Sequence, residues 1–423
     1  MDYTSRDESR EYGINLDDIE QARNNISDEA IVTPMMYFEN LSKACNCEIH
    51  FKLENLQRCK AFKFRGALNK LRKLPKGSTV CAVSAGNHSQ GVALAASLCG
   101  CKSVLFMPSN AMISKVQATQ GYGGNVIQKG NTFDEAKAEM MKALEENPDW
   151  VFVPPYDDYD IIAGQGTIGL EIIEQLPDVN TVVIPIGGGG LIAGISYALK
   201  QLNKDVRIIG VQMSSCPVAY KKFYEHKGKQ PKVYAKEQKS PLADGIAVKS
   251  PGEKNLKIIH DFVDDVVIVS EDEVAMAIAL LAERGKIIAE GAGATAFAAV
   301  LNRKFKFYNK EKICCVVSGG NIPLQMLGRC IERALFLRES RIGFSVVMAY
   351  GSSHIRQMID IIVSNKGEVM SMTKEPQVDC VANKEHCKVV IDAPTPETVI
   401  NIKKEFESNG WSYTIESTNA LDE

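Results

Sequence analysis

The chain has 423 residues, 45% of them hydrophobic and 24% charged, which exceeds one ordinary core and predicts two or three domains. A net charge of -3 with no basic run argues against nucleic-acid or anionic-membrane partners, and no stretch approaches the ~20 apolar residues of a membrane helix. Residues 1–29 are acidic and polar, unlike a secretion signal, and the twelve cysteines lack CxxC spacing; a cytoplasmic protein with reduced thiols and no metal site is expected.

In chain order, the first chemical signal is Ala61-Phe62-Lys63-Phe64-Arg65-Gly66, a lysine between two aromatic residues. Apolar walls lower a lysine pKa and make the amine a nucleophile, although a lone lysine of this kind is more often a surface residue on an amphipathic helix. Thr79-Val83 then reads as a strand, followed by the turn Ser84-Ala85-Gly86-Asn87-His88 and an apolar helix over Val92-Leu98. The turn's N–H groups and the Asn87 amide suit a carboxylate or a ring hydroxyl. His88 invites a general-base reading, but packing beneath the turn is the better one.

Ser103-Met107 is a second strand, with a helical pattern around Ile113-Gln120, and Trp150-Val153, Thr181-Ile186, Arg207-Gln212 and Ile313-Val317 repeat the theme. Continuous apolar strands separated by helices indicate parallel sheets covered on both faces, with ligands at the carboxyl ends of the strands. Gly187-Gly188-Gly189-Gly190 follows one such end and Ser318-Gly319-Gly320-Asn321 another. Four glycines between strand and helix let bare N–H groups approach a phosphate, without the lysine-hydroxyl ending of a nucleotide loop. Alone, that run equally serves close packing. Together with a lysine in an apolar setting, it fits a phosphorylated aldehyde cofactor.

After Glu339 the pattern changes. Ile342-Met348 alternates as a strand, Ile355-Val363 has helical spacing, and Val369-Met372 and Lys388-Ile391 read as strands. Thr395 and Pro396 open a helix that stops at Asn409-Gly410, before the alternation Trp411-Tyr413-Ile415. The order βαββαβ predicts a ferredoxin-like module over residues 340–423, with both helices on one sheet face and an uncovered apolar face opposite.

The segments AFKFRGA, SAGNHSQG, PPYDD, AGQGTIGLEI, PIGGGGLIAGI, LADGIAV, EGAGA and SGGN together resemble the fold-type-II pyridoxal-phosphate enzymes, specifically the threonine ammonia-lyases, from about Asp17 to Arg338. The resemblance implies a catalytic domain over residues 1–339, made of two parallel-sheet α/β subdomains. It implies that Lys63 is the Schiff-base lysine, that Phe62 lies against the cofactor ring, and that Asn87 binds its 3-oxygen. Gly187, Gly188, Gly189 and Gly190 would hold the phosphate of pyridoxal 5'-phosphate, Ser318 would pair with the ring nitrogen, and Gly245 and Glu290 would lie near the ring. Ser84, Ala85, Gly86, Asn87 and His88 would receive the substrate carboxylate. The implied reaction is β-elimination from L-threonine to 2-oxobutanoate and ammonia, and from L-serine to pyruvate.

The C-terminal module resembles an amino-acid-binding ACT domain in element order. That implies an amino-acid effector and a homo-oligomer, either dimer or tetramer. Two departures stand out. Cys59-Lys60-Ala61 replaces the usual Thr-Gly-Ser, losing a hydroxyl and adding a cation, and Ala349-Tyr350-Gly351-Ser352-Ser353 replaces an Asp-Pro-Gly-like turn.

Serine racemase is the nearest rival. It needs a second proton-transfer group where this chain has Ala85, and metal-binding carboxylates where this chain has Gly210-Val218. A cysteine-synthase-like replacement enzyme fits the extended motifs less well. A non-catalytic amino-acid sensor would not require Lys63, Asn87 and the glycines to be kept.

Overall fold

The computed structural model of the protein describes residues 11–231, 241–375 and 382–416. The chain divides into two compact units, Met1–Leu327 and Gly328–Glu423, and the division falls within the helix Leu324–Leu337.

The first unit holds two sheets. One has six strands in the order Met35–Tyr37, Glu48–Leu53, Lys312–Val317, Thr181–Pro185, Arg207–Met213 and Asp265–Val269, parallel except for the first pair. The other is wholly parallel, in the order Asn125–Gln128, Lys102–Met107, Thr79–Val83 and Val151–Phe152. Thr181–Pro185 is buried along its whole length, as a strand covered on both faces must be. The expected α/β architecture is present. Met35–Tyr37, Glu48–Leu53, Asn125–Gln128 and Asp265–Val269 are strands that the sequence pattern did not reveal.

The helix Lys63–Leu71 packs on Asn87–Cys99 and on Tyr159–Gln175. A Cβ on Gly164 would stand 2.6 Å from the Gly66 Cα, so these two backbones meet at a distance only glycine allows. The same helix is held electrostatically. Arg65 is 1% exposed, and its guanidinium donates to both carboxylate oxygens of Glu54 (2.9 and 2.8 Å) and of Glu171 (2.6 and 2.9 Å). Lys52, also fully buried, donates to Glu171, to the Thr33 carbonyl at 2.7 Å and to Gln175 at 2.8 Å. Two cations and two carboxylates balance.

The second unit is a four-stranded antiparallel sheet in the order Glu368–Glu375, Lys384–Asp392, Arg341–Ala349 and Ser412–Ile415, with helices Ser352–Ser364 and Pro396–Ser408. This is the predicted ferredoxin-like order. Thr395 caps the second helix by accepting from the Thr398 N–H. Phe344, Val346, Val389 and Ile391 bury one sheet face in a core with Met358, Ile362, Ile402 and Phe406.

The opposite face corrects the expectation of an apolar surface. Its alternate positions carry Ser345, bonded to His386 at 2.5 Å, and Lys388, paired with Glu375 (2.9 Å) and Glu416 (3.1 Å). Arg341 and Asp392 form a two-pronged pair at 2.6 and 2.8 Å. Val347 and Val390 are half-buried on the same face, which is otherwise polar and paired.

Removing one member of the Arg65 cluster leaves a charge buried without its counterion, which typically costs about 3–5 kcal/mol. Glu171→Ala should therefore lower the denaturation midpoint of the first unit, whereas Glu174→Ala on the same helix, with its side chain 59% exposed, should barely move it. Urea titration followed by circular dichroism compares the two.

Candidate active site

Lys63 is the first residue of its helix, and Phe62 at the entry already has helical backbone angles (φ -57°, ψ -23°). Its amine donates to the Pro155 carbonyl at 2.6 Å and lies 5.2 Å from the Phe62 ring centre and 6.0 Å from that of Tyr156. Burial removes water from the ammonium form and brings the Lys63 pKa down to about 8, against a smaller opposing pull from Glu290.

The entry is tied to the end of the strand Lys312–Val317. Phe62 N–H donates to the Ser318 carbonyl at 3.1 Å, and Gly320 N–H to the Lys60 carbonyl at 2.9 Å. Ser318 is 2% exposed. Glu290 N–H donates to the Gly319 carbonyl at 3.0 Å, which places Glu290 beside the same strand end.

At the end of Thr181–Pro185 the glycines turn into the helix Gly190–Leu202. Gly189 has φ +97° and caps that helix without a side chain, leaving its first N–H groups free for an anion. A Cβ on Gly188 would stand 2.2 Å from the Tyr156 ring, so Tyr156 packs on the glycine turn, with its ring centre 6.0 Å from the Lys63 amine. The Gly188 carbonyl accepts from Asn255 Nδ2 at 2.8 Å and from Gly252 N–H at 3.0 Å. Gly187 lies against the carbonyl of Gly245, which is itself exposed in the short turn Asp244–Ile246.

Ser84, Ala85, Gly86 and Asn87 are all partly exposed, while His88 beneath them is 3% exposed. Ser84 Oγ accepts from Gly86 N–H at 3.1 Å, holding the turn. Both ends of the Asn87 amide are engaged: Nδ2 donates to Glu290 at 2.6 Å, and Oδ1 accepts from Asn321 at 2.8 Å. His88 Nε2 bonds the Val153 carbonyl at 2.9 Å, and burial together with the Lys63 charge drives its pKa down to about 3. A ring that stays neutral and faces a main-chain carbonyl braces the turn.

Burial, reinforced by Asp244, lifts the Glu290 carboxyl to about 7, against smaller opposing effects of Asn87 and Lys115. A cavity of about 400 Å³ lined by Lys115, Asp244, Glu290 and Asn321 opens there.

The structure thus gathers Lys63, Phe62, Ser318 and Glu290 at one strand end. Asn87 joins them through its bond to Glu290, and the glycine turn through Tyr156. Sequence reading left Tyr156, Asn255, Asn321, Lys115 and Asp244 unassigned. Tyr156, Asp244 and Asn321 fall within quoted motifs and could have been found; Lys115 and Asn255 carried no signal.

The depressed Lys63 pKa has a direct chemical consequence. Competitive acetylation of the cofactor-free protein, read by peptide mass spectrometry, should show Lys63 reactivity rising through about pH 8. A surface lysine such as Lys43, whose partner Glu39 raises its pKa, should titrate above the ordinary lysine value of 10.5. The stability linkage has the same sign. Burial penalises the ammonium form, so that destabilisation is fully present below about pH 8 and is relieved as pH rises from there towards the unfolded value of 10.5.

Residues 26–319 match the family described as "Pyridoxal-phosphate dependent enzyme". The chain is 41% identical over 362 residues to an L-threonine ammonia-lyase of Thermotoga maritima, covering 85% of this chain and 88% of the relative. Threonine deaminase isoform 2 of Solanum lycopersicum superposes with a TM-score of 0.67 at 35% identity, over 75% of this chain and 88% of that one. Maize serine racemase superposes with a TM-score of 0.69 at 30% identity, over 77% and 99%. With more than half its length matched, and with its glycine turn and desolvated lysine at neighbouring strand ends, the chain belongs to the pyridoxal-phosphate dependent enzyme family.

Proposed function

We propose that the protein is an L-threonine ammonia-lyase, eliminating water from L-threonine to give 2-oxobutanoate and ammonia, and acting on L-serine to give pyruvate. The observation that carries this reading is the desolvated Lys63 amine, set within reach of Glu290 and linked through Tyr156 to a glycine turn that admits no side chain.

These residues fit pyridoxal 5'-phosphate. Gly187–Gly190 and the uncapped helix start would hold its phosphate, Lys63 its carbonyl carbon and Asn87 its 3-oxygen. Ser318 would hold its ring nitrogen, with Phe62 against the ring and Gly245 and Glu290 flanking it. When bound, the cofactor supplies the electron sink that acidifies the substrate's Cα–H.

The chain's own residues supply the rest. The Ser84–Asn87 turn receives the substrate carboxylate, and His88 supports it from below. Lys63 Nζ, with a pKa near 8 rather than 10.5, has an appreciable neutral fraction at physiological pH and takes the Cα proton. The hydrogen-bonded chain Asn321–Asn87–Glu290 fixes the orientation of the Asn87 amide.

Serine racemisation is the second reading, favoured by the likeness to the maize enzyme. Its obstacle is Ala85. That residue lines the turn beside Gly86 and has no group that transfers a proton to the opposite face of Cα. Ammonia and 2-oxo acid release from L-threonine and L-serine, followed alongside D-serine formation, decides between the two. Pyruvate should exceed D-serine by a wide margin, and D-serine at a comparable rate overturns elimination. Lys63→Ala should lower kcat by roughly 10²–10⁴, the usual worth of a positioned general base.

The second unit supports regulation by an amino-acid effector and assembly into a homo-oligomer, a dimer or tetramer, through its ferredoxin-like fold. A cytoplasmic location is supported by the thiol state of Cys45, Cys59, Cys81, Cys314 and Cys315. A chain ending at Glu339 should keep cofactor binding and basal turnover and lose any response of KM to added amino acids. An unchanged response would place regulation in the first unit.

A further inference from the structure

Lys115 lies in the helix Ile113–Gly121, which follows the strand Lys102–Met107 of the four-stranded sheet. Its amine is 2.8 Å from Asp244 Oδ2, in the short turn Asp244–Ile246 that lies beside Gly187. The pair therefore reaches from the substrate turn's side of the first unit to the glycine turn's side. It is asymmetric: the Lys115 side chain is 16% exposed and that of Asp244 is 64% exposed. The cation is tucked in, while its counterion stands in water.

Where that cation points matters. A Cβ on Gly86 would have the Lys115 amine as its nearest neighbour, at 3.9 Å. Gly86 caps the helix Asn87–Cys99 with no side-chain bond, so the amine lies next to the uncapped start of that helix. Lys115 and Asp244 also line the cavity above Glu290 and Asn321, and both act electrostatically on Glu290.

We propose that Lys115 is a specificity-determining residue that binds the substrate carboxylate, and that Asp244 occupies it only until substrate arrives. This rests on the reading that the substrate is a free α-amino acid. The amine and the helix start together make a site for a carboxylate, which a charge-assisted hydrogen bond then holds. Ion pairs with one partner in solvent are weak, so exchanging the Asp244 carboxylate for that of the substrate costs little. The exchange has two consequences. Substrates without a free carboxylate lose the contact, and Asp244 competes with every substrate molecule for the same amine.

A structural clasp and an exchange pair make opposite predictions. If the pair merely clasps the cleft, loss of either partner harms binding alike. In an exchange pair, Lys115→Met should raise the KM for L-threonine roughly tenfold with kcat little changed, as expected for lost uniform binding. Asp244→Asn should lower KM by about two- to fivefold, because the competitor is gone. The double variant should follow Lys115→Met, since Asp244 acts through Lys115. Lys115→Arg keeps the charge and should stay within about threefold of wild type, separating charge from folding.

A second readout avoids turnover. Calorimetric binding of 3-hydroxybutanoate, which keeps the carboxylate and hydroxyl but has no amine to react, should weaken in Lys115→Met and tighten in Asp244→Asn. A KM for Lys115→Met within twofold of wild type overturns the proposal. So does a shift of both single variants in the same direction, or 3-hydroxybutanoate affinity that ignores Lys115. Failure of the wild-type enzyme to release a 2-oxo acid from either amino acid would sink the functional reading instead, and 3-hydroxybutanoate binding would still decide the role of Lys115.

Discussion

Water leaves the Lys63 amine when the cleft forms, and the charged form of that amine loses most by it. Its pKa near 8 is the outcome of that loss, moderated by the nearby Glu290. A desolvated ammonium is unstable unless its surroundings are stiff, because any opening that admits water restores the ordinary pKa. Stiffness comes from the glycine contact between Gly66 and Gly164 and from the Arg65–Glu54–Glu171–Lys52 cluster two residues along the helix. That cluster contributes little through its net Coulomb energy, since buried pairs lose their hydration too. Its effect is geometric: four charged groups that must all be paired permit one register of the helix carrying Lys63.

The end of the strand Lys312–Val317 joins the remaining parts. Successive groups of Ser318–Asn321 bond Phe62, Glu290, Lys60 and Asn87. Segments more than 200 residues apart in sequence are thus fixed to four consecutive residues. The fixing is mostly main chain to main chain, which specifies position without specifying side chains. Tyr156 plays the corresponding part on the other side, touching the glycine turn with one part of its ring and lying near the Lys63 amine with its face.

Signals that reside in a few adjacent residues were legible in the sequence. The strand-turn-helix pattern around Ser84–His88 and the glycines after Ile186 announce sheet ends, and the C-terminal order βαββαβ was readable down to the Thr395 cap. What was hidden depends on partners distant in the chain. Glu48–Leu53 contains Lys52, which looks out of place in a buried strand until Glu171 is brought to it from 119 residues away. Asn125–Gln128 is too short to show a period. Asp244 lies in the segment LADGIAV and Lys115 in no local pattern, and only folding makes them neighbours. The polar sheet face of the second unit was missed for another reason. Ser345, His386 and Lys388 occupy the positions that alternate with the apolar residues of their strands, and alternation by itself predicts a polar face.

The segment Cys59-Lys60-Ala61, where relatives usually carry Thr-Gly-Ser, shows how a departure can be absorbed. Lys60 has φ +61°, a left-handed conformation that costs a non-glycine residue roughly 1–2 kcal/mol and explains why glycine is usual there. Two bonds hold it: its N–H donates to the Gln57 carbonyl at 2.7 Å, and its carbonyl accepts from Gly320 at 2.9 Å. Its side chain is exposed, so the added cation is hydrated and the dehydrated amine at the site remains that of Lys63. Cys59 is fully buried and points its thiol at the Ala61 carbonyl at 3.4 Å; burial raises that thiol to about 12, which keeps it neutral and unreactive. Ala61 bridges to Gly319 as an isolated antiparallel pair, so the backbone path into Lys63 is fixed without a hydroxyl at position 61. The main-chain path from Cys59 to Lys63 is therefore held mainly by backbone bonds, which do not depend on the side chains at 59 to 61.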